Sequence, residues 1–92
     1  MQIELDNKFK RNFQIILEHI AKDKITTSKI FKKELFKQIK NLSNFPYKYR
    51  KSFYFEDENT RDMIFKGYTI VYEIHTNNNL IVILNIFNQN KN

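Results

Sequence analysis

Polar and apolar positions alternate along residues 1–5, Met-Gln-Ile-Glu-Leu, with Ile3 and Leu5 on one side, which predicts a short strand. Phe9, Phe13, Ile16, Leu17, Ile20 and Ala21 then recur at helical spacing. That stripe predicts a helix of about four turns, capped by Asp6 or Asn7. Lys22-Asp23-Lys24 breaks the stripe and predicts a turn. A second stripe follows in Phe31, Leu35, Ile39 and Leu42, widened by Ile30 and Phe36. Thr26 is the expected cap of this helix, with Ile25 and Ile30 as a hydrophobic staple. Lys29, Lys32, Lys33, Lys37 and Lys40 fall on the remaining surface. So short a link predicts an antiparallel helical hairpin.

Asn44-Phe45-Pro46 ends the second helix, because the residue before proline is pushed out of helical geometry. Residues 46–60 interleave aromatic and basic side chains, and a connection this long is expected to be functional or partly stranded. The rest is patterned as strand: 61–65, a Lys66-Gly67 turn, 68–75, an Asn77-Asn78-Asn79 turn, and 80–87. Tyr68, Ile70, Tyr72 and Ile74 share one face. The nearly unbroken run Leu80 to Phe87 predicts a central strand covered on both sides. Residues 88–92 form a polar tail. The order β-α-α-β-β-β predicts one α+β domain over residues 1–92, with the hairpin packed on one face of a mostly antiparallel sheet.

Composition narrows the chemistry. The 92 residues carry no cysteine, two histidines and one glycine. Thiol nucleophiles, thiolate metal sites and Gly-rich phosphate loops are thereby excluded, and neither a metal nor a cofactor is implied. No apolar run reaches the ~18 residues of a membrane span. The N-terminus, with Glu4 and Asp6, lacks the basic-then-apolar order of a signal peptide. The expected setting is the cytoplasm, with no membrane partner. The net charge is +6, and residues 22–51 hold ten basic side chains against Asp23 and Glu34. This basic block attracts polyanions or an acidic partner, or it serves only as a solvated helix face.

The chain resembles the RelE/ParE superfamily of type II toxin–antitoxin toxins. The resemblance rests on Phe45-Pro46 after the second helix, the basic Tyr49-Arg50-Lys51, and Arg61-Asp62-Met63-Ile64-Phe65-Lys66-Gly67-Tyr68-Thr69-Ile70-Val71-Tyr72-Glu73-Ile74. The final strand, Leu80 to Phe87, also fits. An arginine opening a strand, a Gly-Tyr hairpin and Ile-Val-Tyr are close to the ParE-like pattern. The resemblance implies a growth-inhibiting toxin neutralised by a cognate acidic antitoxin, with operator DNA contacted only through that antitoxin. ParE-like members inhibit DNA gyrase; RelE-like members enter the ribosome and cleave mRNA, commonly with a Tyr or His near the C-terminus. Here that end reads Phe87-Asn88-Gln89-Asn90-Lys91-Asn92. Asparagine and glutamine do not shuttle protons near neutrality. The resemblance therefore favours gyrase inhibition over the alternative, a ribosome-dependent mRNA endonuclease. A third reading is a small basic RNA-binding accessory protein.

A nuclease would draw on Arg50, Lys51, Arg61 and His75, with the cations stabilising the developing phosphorane charge. A target- or antitoxin-binding surface would draw on Arg50, Lys51, Arg61, Lys66, Asn88, Gln89 and Lys91. Each has a plainer alternative. Arg61 is also placed to form a structural ion pair with Glu56, Asp57 or Glu58. Tyr47, Tyr49, Phe53 and Phe55 would otherwise cap the core, and His75 would be a surface residue at a strand end. His19 reads as structural. Tyr68 and Tyr72 read as core side chains with wet hydroxyl tips.

Overall fold

In a computed structural model of the chain, which describes residues 1–88, two helices pack on one face of a five-stranded sheet. Strand β1 is Gln2–Leu5, and helices α1 and α2 are Asn7–Asp23 and Ile25–Asn41. Four strands follow: β2 (Arg50–Lys51), β3 (Thr60–Phe65), β4 (Tyr68–His75) and β5 (Leu80–Asn88). The sheet order is β1-β5-β4-β3-β2. Only β1 runs parallel to its neighbour β5. The sequence left the partner of β1 open; the run of β5 supplies it, with Ile3 opposite Ile81 and Leu5 opposite Ile83.

Helix α1 starts where Asp6 stops being strand-like. The Asp6 carboxylate accepts the Lys8 N–H at 2.9 Å, satisfying one orphan donor of the first turn. Lys24 alone joins the helices, so α2 begins at Ile25, without the expected Thr26 cap. The staple fails too: Ile25 and Ile30 are exposed. A one-residue link leaves no room for a capping turn. The hairpin is fixed instead by Ser28, whose buried hydroxyl donates to the Leu17 carbonyl at 2.9 Å. Ser28 thus extends the inward row of Phe31, Leu35 and Ile39, and Ile30 does not widen it.

Phe9, Phe13, Leu17, Phe31, Leu35, Ile39 and Leu42 are buried against Met63, Ile70, Tyr72, Ile74, Ile81, Ile83 and Ile86. Phe31 meets Phe65 and Tyr68 edge-on, both at 5.5 Å between ring centroids. That geometry suits aromatic quadrupoles and joins hairpin to sheet. At the β3–β4 turn Lys66 and Gly67 both have positive φ, 48° and 84°, which matches the right-handed twist of a two-residue hairpin. The β4–β5 register shifts at Val71/Tyr72. There Asn85 Oδ1 accepts from Asn12 Nδ2 and the Ile86 N–H, tying the irregularity to α1.

Strand β5 is central, as its apolar run predicts, but only its helix-facing side is fully covered. Ile81, Ile83 and Ile86 are buried there, while Val82, Leu84 and Phe87 on the other side are half-buried. That second side carries a groove of about 480 Å³ among Tyr54, Phe55, Val71, Glu73, Leu84 and Phe87.

Candidate functional site

The chain between α2 and β3 does not pack through apolar contacts alone. It is fastened to the first residues of β3 by directed bonds. Tyr72 lies wholly buried, and its hydroxyl donates to the Pro46 carbonyl at 2.6 Å. Its tip is therefore not wet, and burial pushes the phenol well above its ordinary pKa. Ser52 N–H donates to the Thr60 carbonyl at 2.8 Å, and Tyr54 N–H to the Ser52 hydroxyl at 3.1 Å. Asp57 accepts from the Asn59 N–H and the Thr60 hydroxyl, which hold its carboxyl below the usual carboxylate range.

Two β3 side chains do the rest of the fastening. Arg61 donates from Nε to the Glu58 carbonyl at 3.0 Å and from Nη1 to the Tyr49 carbonyl at 3.1 Å. Its guanidinium lies 4.9 Å from the centre of the Tyr47 ring. The expected ion pair with Glu56, Asp57 or Glu58 does not form. Two of the Arg61 donors go to main-chain carbonyls, and the Glu58 carboxylate meets Lys51 instead at 3.0 Å. Asp62 is fully buried in its side chain. Its Oδ2 accepts the Phe53 N–H at 3.0 Å and lies 3.6 Å from Arg50 Nη2, while its Oδ1 has no partner.

This clasp presents a ridge of exposed side chains. Phe45, Tyr47, Phe53, Tyr54 and Phe55 are 45–74% exposed. Only Tyr49 among the ring residues of the connection packs against the core, so the capping alternative fails for Tyr47, Phe53 and Phe55. Arg50 stacks over Phe53 with its guanidinium carbon 3.8 Å from the ring centre. Held by Asp62 on one side and Phe53 on the other, Arg50 is pre-organised at the surface. Lys48 and Lys51 flank it, both exposed.

The predicted site residues divide into two groups. Arg50 pairs with Asp62 and Lys51 with Arg61 across β2 and β3, so these cations share one edge of the sheet. His75 ends β4 near that side, with Nε2 2.6 Å from Glu73 Oε1. Lys66 sits at the opposite end of β3, roughly 17 Å from Arg61 at strand rise. There it pairs with Glu34 at 3.1 Å, and Asn88 lies in register with Tyr68 beside the same turn. Gln89 and Lys91 lie outside the described residues. His19 is exposed on α1, beside a groove of about 520 Å³ that includes Ile15, Tyr68 and Phe87.

The sequence reading missed Asp62 as the organiser of this edge. Its signal was a carboxylate on the same strand side as Thr60, just before the apolar Met63-Ile64-Phe65. Among the described residues no group of three or more His, Asp or Glu side chains gathers to hold a metal ion. None of the described helices is long and apolar enough to cross a membrane.

The family model described as ParE toxin of type II toxin-antitoxin system, parDE, matches residues 3–92. No curated protein matches the chain. Among solved structures, the chromosomal ParDE toxin–antitoxin system from P. aeruginosa superposes with a TM-score of 0.75. The match covers 96% of this chain and 95% of that one at 14% identity, a likeness of fold.

Proposed function

Because the chain belongs to the ParE toxin family of type II toxin–antitoxin systems, we propose that it arrests growth by binding DNA gyrase, without cutting RNA. It is the toxin component of such a system, and an antitoxin is its partner. On this reading it works in the cytoplasm as one unit over residues 1–92. Its cognate antitoxin is acidic and supplies the sequence-specific contact with operator DNA.

The observation that carries the reading is the exposed run Phe53, Tyr54 and Phe55 beside a pre-set Arg50. Exposed aromatics consecutive in sequence beside an arginine have the composition of a protein-binding hot spot. Arg50, Lys51 and Phe53 contact the target, and Arg61 positions them through its two carbonyl bonds. Lys66 and Asn88, followed in sequence by Gln89 and Lys91, serve a second contact at the far end of β3. The nuclease alternative needs an acid and a base aimed at one phosphate. Here two of the Arg61 donors are held by main-chain carbonyls and the Tyr72 hydroxyl is buried on Pro46, so neither is presented as an acid or base at the surface.

The test places the purified toxin in a gyrase supercoiling reaction and, separately, with translating ribosomes. Inhibited supercoiling with intact mRNA is the expected result. Codon-dependent mRNA cuts with gyrase unaffected would overturn the proposal.

A further inference from the structure

The outer face of α2 is a second surface, unlike the aromatic ridge. Lys29, Lys33, Lys37 and Lys40 run along one side of the helix, with Lys32 beside them, and all five are exposed. At 1.5 Å per residue, successive members of the row stand roughly 5–6 Å apart along the axis. Among the described residues none of the five makes an ion pair. The one acidic side chain of α2, Glu34, is held by Lys66 at 3.1 Å. The core side chains Phe31, Leu35 and Ile39 occupy the opposite side, so the row faces outward from a rigid, packed helix.

We infer that this row is a sequence-independent contact for the phosphate backbone of duplex DNA. The chemistry separates it from a site for an acidic protein. Protein interfaces are depleted in lysine and anchored by exposed aromatics, whereas the one ring beside the row, Phe36, is half-buried and turned onto Phe13. Duplex nucleic acid is met by rows of point charges that release counterions. Single strands are disfavoured for the same reason, because Phe36 is packed on Phe13 and the row offers no exposed ring on which a base can stack. The choice of DNA over duplex RNA rests on the gyrase reading, since the substrate of that enzyme is duplex DNA. Operator recognition stays with the antitoxin.

The test measures binding of the full-length toxin alone to a labelled duplex of about 20 base pairs, between about 50 and 200 mM salt. Two variants carry the same charge change: Lys29→Gln/Lys33→Gln/Lys37→Gln on α2, and Lys8→Gln/Lys10→Gln/Arg11→Gln on α1. Circular dichroism confirms that both remain helical, as expected for exposed positions. The α2 variant is expected to lose at least about tenfold in affinity at the lower salt, and its log–log salt slope to fall by about three. The α1 variant is expected to stay within about twofold of the parent, because its charges lie off the row. Equal losses in both variants would reduce the effect to net charge and overturn the site. No duplex binding at the lower salt, or tighter binding to duplex RNA or polyglutamate than to DNA, would also overturn it. Gyrase is absent from this assay, so its outcome and that of the supercoiling test are read separately.

Discussion

The core between helices and sheet and the connection from Phe45 to Asn59 are held in opposite ways. In the core, Phe9, Leu35, Ile70, Ile81 and Ile83 are fully buried, and non-directional apolar burial sets the stability. The connection leaves most of its rings in water and is fixed by named bonds: Tyr72 to Pro46, Arg61 to Glu58 and Tyr49, Asp62 to Phe53. Directed bonds fix a shape while leaving apolar surface available to a partner. The molecule therefore separates what keeps it folded from what it offers to bind.

Mutations that strike one region and spare the other test that separation. Leu35→Ala, in the core, is expected to cost about 2–5 kcal/mol in denaturant unfolding, because both transfer energy and a cavity are involved. Asp62→Ala is expected to cost about 1–3 kcal/mol, since the Phe53 N–H loses its acceptor and Arg50 its carboxylate. Its larger effect is on gyrase inhibition, which falls as the ridge loosens. Tyr72→Phe removes one bond to the connection and is expected to cost about 1 kcal/mol.

Tyr72 also has a pH signature. Its folded pKa is raised, so its contribution is complete below the ordinary phenol value of 10.0 and is lost as pH rises above it. Stability measured against pH should therefore fall on that alkaline limb in the parent and less steeply in Tyr72→Phe. Phe53→Ser is expected to cost no more than about 1 kcal/mol, because the ring is 74% exposed and its main contact is the Arg50 stack. The same change is expected to abolish growth arrest. Equal growth arrest by a folded Phe53→Ser toxin would remove the ridge from the mechanism.

The core was legible in the sequence because its signals are periodic. The stripe from Phe9 to Ile20, and the face shared by Tyr68, Ile70, Tyr72 and Ile74, each follow from residue spacing. The Lys66-Gly67 turn followed from the conformational freedom of Gly67. The start of α2 was misread because a one-residue link and the Ser28 bond to Leu17 override local capping preference. The site was only partly legible for a related reason. Arg50, Lys51 and Arg61 were singled out by charge, and the pairing of β2 with β3 is what brings them to one edge. Their partners are main-chain carbonyls for Arg61, the buried Asp62 carboxylate for Arg50 and the exposed Glu58 for Lys51, none of which leaves a spacing pattern. Lys66 drew notice by charge as well, but strand length carries it to the far end of the sheet.

The central claim is that this toxin acts by binding through its ridge, and direct affinity for gyrase tests it most closely. Calorimetric titration of gyrase with the parent toxin and with Phe53→Ser, after their melting temperatures are matched, is the measurement. The account predicts binding by the parent and a loss of at least about tenfold in the variant. Equal affinities for the two proteins, or a parent that does not bind gyrase, would contradict it.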